Sequence, residues 1–255
     1  MKITIQGEAV PALGFGTWPL RGSACVESVA HALAVGYRHI DTAQWYNNEA
    51  EVGQGIKKAG IAREEIFLVT KVQPSNFAYK RTLTTARESF RKLDADYIDL
   101  LLMHWPNPDI PVAETLTAMN ELQAEGLIRH IGVSNFSPAL VEEAMRHATI
   151  FSNQVEYHPY KNQNALIQQA KAKDYLFVAY SPLAEGAVHN DATLQSIGAA
   201  HGKSAAQVAL RWLLQQGVSA IPKAGSDQHR QANWDVFDFT LNDEEMQRIF
   251  ALRKV

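Results

Sequence analysis

Residues 66–105 read IFLVTKVQPSNFAYKRTLTTARESFRKLDADYIDLLLMHW. Two runs of apolar and β-forming residues stand at 66–72 and 98–104, and a long helical pattern at 76–93 separates them. Neighbouring parallel strands need a crossover connection between them, and this connection is usually a helix. The segment therefore predicts one strand–helix–strand unit of a parallel sheet.

The same alternation extends over the whole chain. Further strand-like runs fall at 11–17, 37–43, 130–135, 152–157, 176–181 and 218–222. Helical patterns separate these runs, with starts signalled by Ser137-Pro138 and Asn242 and ends signalled by Gly36, Gly60, Gly126 and Gly217. Eight strands alternating with helices predict an α/β fold of the (β/α)8 TIM-barrel type, with residues 1–255 as a single domain.

The first residues carry a different pattern. The run KITIQ at 2–6, followed by Gly7 and Glu8, predicts a short N-terminal β-hairpin that plugs the floor of the barrel. An open doubly wound sheet is the alternative architecture, but its first strand–helix turn should carry a three-glycine fingerprint. Gly14-Phe15-Gly16 lacks the third glycine, and Gly53-Gln54-Gly55 lies inside a helical pattern. The barrel is therefore favoured.

Composition restricts the class of protein. The 255 residues are 46% hydrophobic, enough for a full core, and their formal net charge of -3 gives no electrostatic reason to expect nucleic acid or an anionic membrane as a partner. The single cysteine, Cys25, rules out a disulfide within the chain. The first ten residues lack the apolar segment of a signal peptide, and no apolar run reaches the ~20 residues that span a bilayer. We expect a cytoplasmic monomer.

Three successive strands are predicted to end on side chains that can exchange protons. These side chains are Asp41, Lys71 and His104, and Tyr46 follows in the loop behind the first strand. Neighbouring strands lie about 4.8 Å apart, and a barrel draws its catalytic residues from the carboxyl ends of its strands. We therefore expect the four side chains to share one small volume.

The chemistry of this group is proton transfer to an oxygen. A lysine ammonium beside a phenol lowers the pKa of the phenol from ~10 toward the operating pH, and Asp41 keeps Lys71 charged and fixed. Tyr46 then acts as a general acid, and His104 orients the same oxygen with a second hydrogen bond. Each residue alone also has a structural interpretation, as a salt bridge or a core histidine. The combination favours catalysis, because a buried ion pair is costly unless something else requires it.

Polar residues at the later strand ends outline a second site. Asn135 and Gln154 offer amides that match a carboxamide, and Tyr180 offers an aromatic face. The loops after strands seven and eight are the usual phosphate site of this fold, and a helix N-terminus attracts anions. Packing and turn roles are the alternative for each residue alone. Together the residues predict a site for a long ligand with an anionic end and a flat amide end, built from Ser134, Asn135, Gln154, Tyr180, Ser181, Leu183, Pro222, Lys223 and Ser226.

Seven motifs occur in the order and spacing of one known family. They are GYRHIDTAQWYNNEAEVG at 36–53, LVTKV at 68–72, LLMHWP at 101–106, IGVSNF at 131–136, NQVEYHP at 153–159, AYSPL at 179–183 and IPK at 221–223. Through them the chain resembles the aldo-keto reductase family over essentially its whole length, and within it the short prokaryotic diketogluconate and methylglyoxal reductases. The resemblance implies a (β/α)8 oxidoreductase that uses NADPH to reduce aldehydes and ketones, such as small or sugar-derived carbonyls, to alcohols by hydride transfer.

The resemblance also implies roles for single residues. Tyr46 is the implied proton donor, Asp41 and Lys71 tune its pKa, and His104 orients the carbonyl. Ser134, Asn135 and Gln154 are implied to hold the nicotinamide carboxamide, with Tyr180 stacked on the ring. The implied contacts along the rest of the cofactor are Thr17, Trp18, Asp41, Ser181, Leu183, Pro222, Lys223, Ser226, His229 and Asn233, with Lys223 at the 2′-phosphate. No metal is implied.

Three departures from the family pattern bear on the cofactor. Ala224 follows IPK where the family has Ser or Thr, and Ala232 replaces a glutamate before Asn233. His229, with Arg230 beside it, stands where an arginine of the family grips the 2′-phosphate. Histidine is a weaker and pH-dependent anion ligand. NADPH stays the expected cofactor because of Lys223, and NADH is the second candidate.

The predicted substrate pocket is aromatic and open. The loop PNPDIP at 106–111 is short, and the chain stops at Val255 without the long C-terminal segment that often closes the pocket in the family. We expect a small-molecule carbonyl substrate, small or flexible, to contact Trp18, Trp45, Tyr46, His104 and Trp105.

Non-enzymatic functions and other enzyme classes are the remaining alternatives. Proteins of this fold and family can serve as cofactor-sensing regulatory subunits or as abundant structural proteins, but neither has a need for the four-residue site. A barrel hydrolase or isomerase needs a metal cluster or a carboxylate base at the strand ends, and the sequence offers neither. Oxidation of a reduced cofactor in the presence of a carbonyl compound separates these functions.

Overall fold

The chain begins with a two-stranded hairpin. In the computed structural model, which describes residues 1–253, β1 (Lys2–Ile5) pairs antiparallel with β2 (Glu8–Pro11). Gln6 and Gly7 between them have φ values of 49° and 82°, as a two-residue type I′ turn requires. The Gln6 amide donates to the backbone carbonyls of Ile150 and Asp174. Both carbonyls lie at the amino ends of barrel strands, so the predicted hairpin at the barrel floor is confirmed.

Eight parallel strands follow one another around the molecule. Each strand pairs with the next strand in the chain. They are β3 (Phe15–Gly16), β4 (His39–Asp41), β5 (Phe67–Val72), β6 (Ile98–Met103), β7 (Ile128–Ser134), β8 (Ile150–Glu156), β9 (Leu176–Tyr180) and β10 (Ser219–Ala220). The order is the one that the alternating sequence pattern predicts.

The sheet closes on itself beside the first and last of these strands. Gly14 N donates to Ala220 O at 2.8 Å, and Gly16 N donates to Pro222 O at 3.1 Å. A Cβ atom on Gly16 would lie 2.8 Å from the backbone oxygen of Ile221, so the two segments approach this closely only because residue 16 is glycine. Gly14 and Gly16, which do not form a complete dinucleotide-binding motif, thus lie at the barrel seam. The predicted (β/α)8 barrel is confirmed.

The helices cover the outside of the barrel. They are α1 (Gly22–Val35), α2 (Glu49–Ala59), α3 (Tyr79–Leu93), α4 (Val112–Ala124), α5 (Pro138–Ala144), α6 (Asn164–Lys173), α7 (Ala192–His201), α8 (Ala205–Gln215), α9 (Asp227–Trp234) and α10 (Asp243–Phe250). The predicted caps are present, because Ser137 Oγ accepts from Leu140 N and Asn242 forms a capping box with Glu245. Helix α3 begins three residues later than predicted, after a 3₁₀ turn at Pro74–Asn76.

Apolar side chains fill both sides of the sheet. Every residue of β5 and β6 is buried, as expected for strands with helices on one face and the barrel interior on the other. The interior cluster contains Val10, Phe67, Val69, Leu100, Leu102, Phe151, Leu176, Val178 and Ile221. Polar residues reach the strand ends above this packed layer. In the part of the chain that the structure describes, no helix is both long and apolar enough to cross a membrane.

Candidate active site

A cavity of about 480 Å³ opens at the carboxyl ends of the barrel strands. This is the end at which barrels of this fold carry their functional residues. Most of the predicted site residues line it together. The lining consists of Gly16, Thr17, Trp18, Asp41, Trp45, Tyr46, His104, Trp105, Ser134, Asn135, Gln154, Tyr180, Ser181, Pro182, Glu185, Ile221 and Lys223.

Lys71 lies beneath this cavity and is completely buried. Its ammonium donates to Asp41 Oδ1 at 2.5 Å, to the backbone oxygen of Thr42 at 2.9 Å and to the hydroxyl oxygen of Tyr46 at 3.4 Å. An ammonium has three donors and no acceptor, so these contacts use all of its hydrogens. The Tyr46 oxygen is an acceptor in this arrangement. Its own proton is therefore free to be donated into the cavity.

Strand register and a short helix bring these groups together. Asp41 on β4 is opposite Val69 on β5, and Lys71 follows two residues later on the same face of that strand. Tyr46 ends the 3₁₀ helix Gln44–Tyr46. The Gln44 side chain fixes this helix, because its Oε1 accepts from Gln73 N and Asn76 Nδ2.

The second predicted group is connected to the first by hydrogen bonds. Gln154 Nε2 donates to Asp41 Oδ2 at 2.8 Å, so both oxygens of that carboxylate have partners. Ser134 Oγ donates to Gln154 O at 2.8 Å, and Asn135 Nδ2 donates to Ser134 Oγ at 3.1 Å. Tyr180 OH then donates to Asn135 Oδ1 at 2.8 Å. Strands β4 and β8 are on opposite sides of the barrel, and this chain of polar contacts joins them.

His104 lies at the cavity wall and is only 7% exposed. Its Nδ1 is buried without a hydrogen-bond partner in residues 1–253, which leaves Nε2 as the nitrogen that is open to the cavity. Its ring centroid is 5.6 Å from that of Tyr46. Burial, followed by the nearby charge of Lys71, lowers the pKa of His104 to about 3. The imidazole is therefore neutral at physiological pH.

The pKa of Tyr46 differs from the prediction. Burial raises the pKa of the phenol, and the Lys71 ammonium lowers it by less, so that the pKa lies above its ordinary value. The expected net shift toward neutral pH is wrong for this structure, although the predicted direction of the lysine effect is correct. Burial also lowers the pKa of Lys71, but the Asp41 carboxylate and Tyr46 together raise it above its ordinary value. Lys71 is therefore a permanent cation, and Tyr46 is protonated at rest.

The remaining predicted cofactor residues extend the site beyond the cavity. Thr17 lines the cavity, and its Oγ1 donates to Asp41 O at 2.9 Å. Lys223 also lines the cavity and is exposed. Leu183, Pro222, Ser226, His229 and Asn233 do not line the cavity. Ser226 caps α9 by accepting from His229 N, and the His229 side chain is exposed on that helix.

Arg230 does not face the cofactor side. Its guanidinium donates to Ser28 Oγ and Ala224 O, both at 3.0 Å, and it forms an ion pair with Asp227. Only 3% of the residue is exposed. Arg230 therefore holds the loop after β10 against α1, and it cannot replace an arginine at position 229.

Four cavity residues were not among the predicted site residues. They are Gly16, Pro182, Ile221 and Glu185. Alternating glycines in a strand indicate close backbone approach, and this signal could have identified Gly16 at the seam. Glu185 lies in a loop where it and Ala184 have left-handed backbone conformations, with φ values of 52° and 48°. Apart from the following Gly186, nothing in the sequence indicates such a turn.

Three exposed tryptophans border the cavity. Trp18 and Trp45 are each 53% exposed and Trp105 is 43% exposed. Trp18 packs against Tyr46 with ring centroids 5.3 Å apart, and Trp45 packs against His104 at 5.5 Å. The loop after Trp105 reaches α4 within six residues. The expectation about the end of the chain concerns Val255, which lies outside the described residues.

No metal-binding cluster accompanies these residues. Within residues 1–253, no three His, Cys, Asp or Glu side chains are grouped so that they could hold a metal ion. The polar groups at the cavity are instead a carboxylate, an ammonium, a phenol, a neutral imidazole and several amides. This set can transfer a proton and hold an amide-bearing ligand.

Comparison with known proteins identifies a common family. The model of the aldo/keto reductase family matches residues 12–254. The glyoxal reductase of Bacillus subtilis (strain 168) is 42% identical over 260 residues, which cover 100% of this chain and 94% of that protein. Methylglyoxal reductase DkgB of Escherichia coli O157:H7 is 37% identical over 249 residues, which cover 96% of this chain and 93% of that protein.

Solved structures agree with this match. A crystal structure provisionally assigned as 2,5-diketo-D-gluconic acid reductase B superposes with a TM-score of 0.97 at 44% identity, covering 100% of this chain and 92% of that one. An aldo/keto reductase from Brucella melitensis superposes with a TM-score of 0.94 at 40% identity, and 99% of each chain is covered. The predicted resemblance is thereby confirmed over the full length of the barrel.

Proposed function

Because this chain belongs to the aldo/keto reductase family and is an NAD(P)H-dependent oxidoreductase, we propose that it reduces small aldehydes and ketones to alcohols with NADPH and with Tyr46 as the proton donor. The single observation that carries the proposal is the arrangement around Lys71. Its ammonium donates to Asp41, Thr42 and Tyr46. This arrangement directs the tyrosine proton toward the cavity and provides a cation for the phenolate that remains.

In the proposed reaction, the proton leaves a tyrosine hydroxyl that Lys71 already holds in place. When bound, a reduced nicotinamide supplies the hydride that adds to the carbonyl carbon. Tyr46 donates its proton to the carbonyl oxygen, which becomes the alcohol hydroxyl. The Lys71 ammonium stabilises the resulting phenolate, and Asp41 keeps that ammonium in position. Neutral His104, in the tautomer with its proton on Nε2, donates the second hydrogen bond to the same oxygen.

The opposite side of the cavity fits a nicotinamide cofactor. Gln154 Nε2 donates a hydrogen bond to Asp41. The Gln154 Oε1 atom is therefore available to accept from a carboxamide N–H. The Tyr180 ring lines the cavity and is held by its hydroxyl on Asn135. Ser134 completes this end, and Thr17 and Trp18, which lie on the Asp41 and Tyr46 side of the cavity, border both the cofactor and the substrate. Ser181, Leu183 and Pro222 lead from the Ser134 end toward Lys223, Ser226 and α9, which carries His229 and Asn233.

The preference for NADPH rests on Lys223. This exposed ammonium lines the cavity and has no ion pair in the described part of the chain. A charge-assisted hydrogen bond to a phosphate is worth roughly 1.5–3 kcal/mol, and NADH lacks the 2′-phosphate. The Arg230 guanidinium is buried against Ser28 and Ala224. On α9, we therefore assign only His229 to the 2′-phosphate, beside Lys223. We therefore propose a modest preference for NADPH, with NADH as a usable cofactor.

The proposed substrates follow from the relatives and from the open cavity. The names of two relatives specify reduction of glyoxal and methylglyoxal, which are small carbonyl compounds. We propose substrates of this size, together with sugar-derived carbonyls, for this chain. We further propose that residues 1–255 form one domain that acts as a monomer in the cytoplasm, without nucleic acid or membrane partners.

One assay tests the function. The purified protein is mixed with NADPH and, in turn, glyoxal, methylglyoxal, an aldose and an α-diketone, while nicotinamide absorbance is followed and the products are identified. We expect cofactor oxidation that depends on the carbonyl compound and yields the alcohol in equal amount. Absence of oxidation with every compound and with both NADPH and NADH would contradict the proposal.

A further inference from the structure

The cavity has two chemically different halves. Strands β7 to β10 contribute hydroxyl, amide and ammonium groups, with Ser134, Asn135, Gln154 and Lys223 among them. The strand ends of β4 and β6 contribute Trp45, Tyr46, His104 and Trp105, and Trp18 follows β3. Since the polar half suits the cofactor, the aromatic half is the part that meets the substrate.

Trp45 is an exposed tryptophan on an anchored segment of the chain. It is the middle residue of the 3₁₀ helix Gln44–Tyr46, and the buried Gln44 side chain anchors that helix through Gln73, Asn76 and Ser89. Its backbone is therefore anchored on its amino-terminal side, and yet 53% of the residue is exposed. Trp45 lines the same cavity as exposed Trp18 and Trp105, and a group of exposed apolar side chains commonly marks a binding surface.

The contacts of Trp45 place it beside the reacting oxygen. Trp45 precedes the proton donor Tyr46 in the chain, and it packs against the second donor, His104, with ring centroids 5.5 Å apart at an angle of 83°. A carbonyl oxygen bound to both donors lies about 3 Å from each. Such a carbonyl group lies beside the indole, so a ring attached to its carbon can pack against Trp45 at the centroid separations of about 4.5–7 Å at which aromatic rings interact.

From this geometry we propose that Trp45 is a specificity-determining residue that selects carbonyl compounds with a planar aromatic substituent, such as aryl aldehydes. The proposal rests on the proposed carbonyl reductase function and names a substrate class for the same site. The indole forms a flat wall for the ring of the substrate, whereas a compound as small as methylglyoxal has no ring to place against it.

Two variants and three substrates test the proposal. Trp45→Leu removes the aromatic ring but keeps an apolar side chain, and Trp45→Phe is the matched control that keeps a ring. The value of kcat/KM relative to the parent protein is measured with benzaldehyde, with cyclohexanecarbaldehyde as the non-planar compound of similar size, and with methylglyoxal. Thermal unfolding verifies that both variants are folded.

We expect Trp45→Leu to lower kcat/KM for benzaldehyde roughly 3- to 10-fold, mainly through KM, because one aromatic contact is lost. The same variant should change the values for cyclohexanecarbaldehyde and methylglyoxal less than about 2-fold, and Trp45→Phe should retain most of the benzaldehyde activity. An equal loss for all three substrates would overturn the proposal, because Trp45 would then act through His104 and Tyr46. Unchanged benzaldehyde kinetics would also overturn it. Failure of the parent protein with every carbonyl would instead contradict the reductase function itself.

Discussion

Lys71 illustrates how much one buried side chain constrains its surroundings. All three of its hydrogens are committed, and its partner Asp41 is satisfied on both oxygens by Lys71 and Gln154. Taking two charges out of water costs several kcal/mol per ion, so the pair is retained in spite of its cost. Its effect on Tyr46 gives a reason, because the ammonium favours the phenolate that proton donation leaves behind.

Replacement of Lys71 therefore changes the chemistry at Tyr46. In Lys71→Met the phenolate loses its cation, so we expect the apparent pKa of Tyr46 to rise further and the chemical step to slow. The measurement is the rate of alcohol oxidation as a function of pH, because Tyr46 acts as the base in that direction. A higher pKa of Tyr46 shifts this pH–rate profile to higher pH.

Loss of one charge also leaves Asp41 without its cation, which costs roughly 3–5 kcal/mol of stability. The double variant Asp41→Asn/Lys71→Met is the control, since it should recover stability without recovering rate. A pH–rate profile that matches the parent in both variants would restore the purely structural interpretation of the pair.

The buried imidazole of His104 makes stability depend on pH. Its folded-state pKa of about 3 lies below the ordinary value of ~6.5. The unfolded chain therefore binds more protons between these values, and this group lowers the free energy of unfolding as the pH falls through that window. Above pH ~6.5 the imidazole is neutral in both the folded and the unfolded chain, so its contribution to the free energy of unfolding no longer changes with pH.

We expect His104→Asn to remove this pH dependence. Relative to the variant, the parent should lose roughly 2 kcal/mol of unfolding free energy between about pH 7.5 and pH 5. Urea unfolding of both proteins at the two pH values measures the difference. If the free energies of unfolding of parent and variant differ by the same amount at both pH values, the fold does not hold His104 neutral.

At the scale of the elements, the barrel seam depends on the absence of a side chain. A Cβ atom on residue 16 would lie only 2.8 Å from the backbone oxygen of Ile221, so Gly16→Ala must push β3 away from the segment that follows the last strand. We expect this substitution to lower the free energy of unfolding by about 1–3 kcal/mol. Gly225→Ala is the matched control, because its nearest neighbour would be Lys223 Nζ at 4.0 Å. Equal stability of the two variants would show that the seam has room for a methyl group.

We assign the proposed cofactor preference to the loop after β10 and to helix α9. A guanidinium at position 229 adds a permanent charge close to the expected 2′-phosphate, so His229→Arg should tighten NADPH binding about 5- to 20-fold. NADH has a hydroxyl there and should bind almost unchanged. Fluorescence titration gives both dissociation constants. Equal tightening of the two cofactors would mean that residue 229 does not meet the phosphate.

Secondary structure was predictable because its signals are local. All eight barrel strands, the hairpin and the caps at Ser137 and Asn242 follow from patterns within a few residues. The start of α3 was not predictable in the same way. Asn76 is held there by Gln44, more than thirty residues earlier in the chain, and this contact favours a 3₁₀ turn where the sequence pattern predicts a helix.

At the scale of the whole molecule, the barrel determines which distant residues meet. Asp41, Lys71 and His104 could be grouped from the sequence because they end successive strands. The bond from Gln154 to Asp41 joins residues on opposite strands, and no local pattern encodes it. The raised pKa of Tyr46 and the inward direction of Arg230 likewise depend on burial within the complete fold.

In the proposed reaction, Tyr46 gives its proton to a carbonyl oxygen while the other half of the cavity holds the cofactor. Tyr46→Phe removes the hydroxyl but keeps a ring of the same shape between Trp18 and His104. The measurement is the rate of NADPH oxidation with methylglyoxal, together with the dissociation constant of NADPH, for the parent and for this variant. We predict that kcat falls roughly 10²- to 10⁴-fold and that NADPH binds as tightly as before. An unchanged rate in the variant would mean that Tyr46 is not the proton donor.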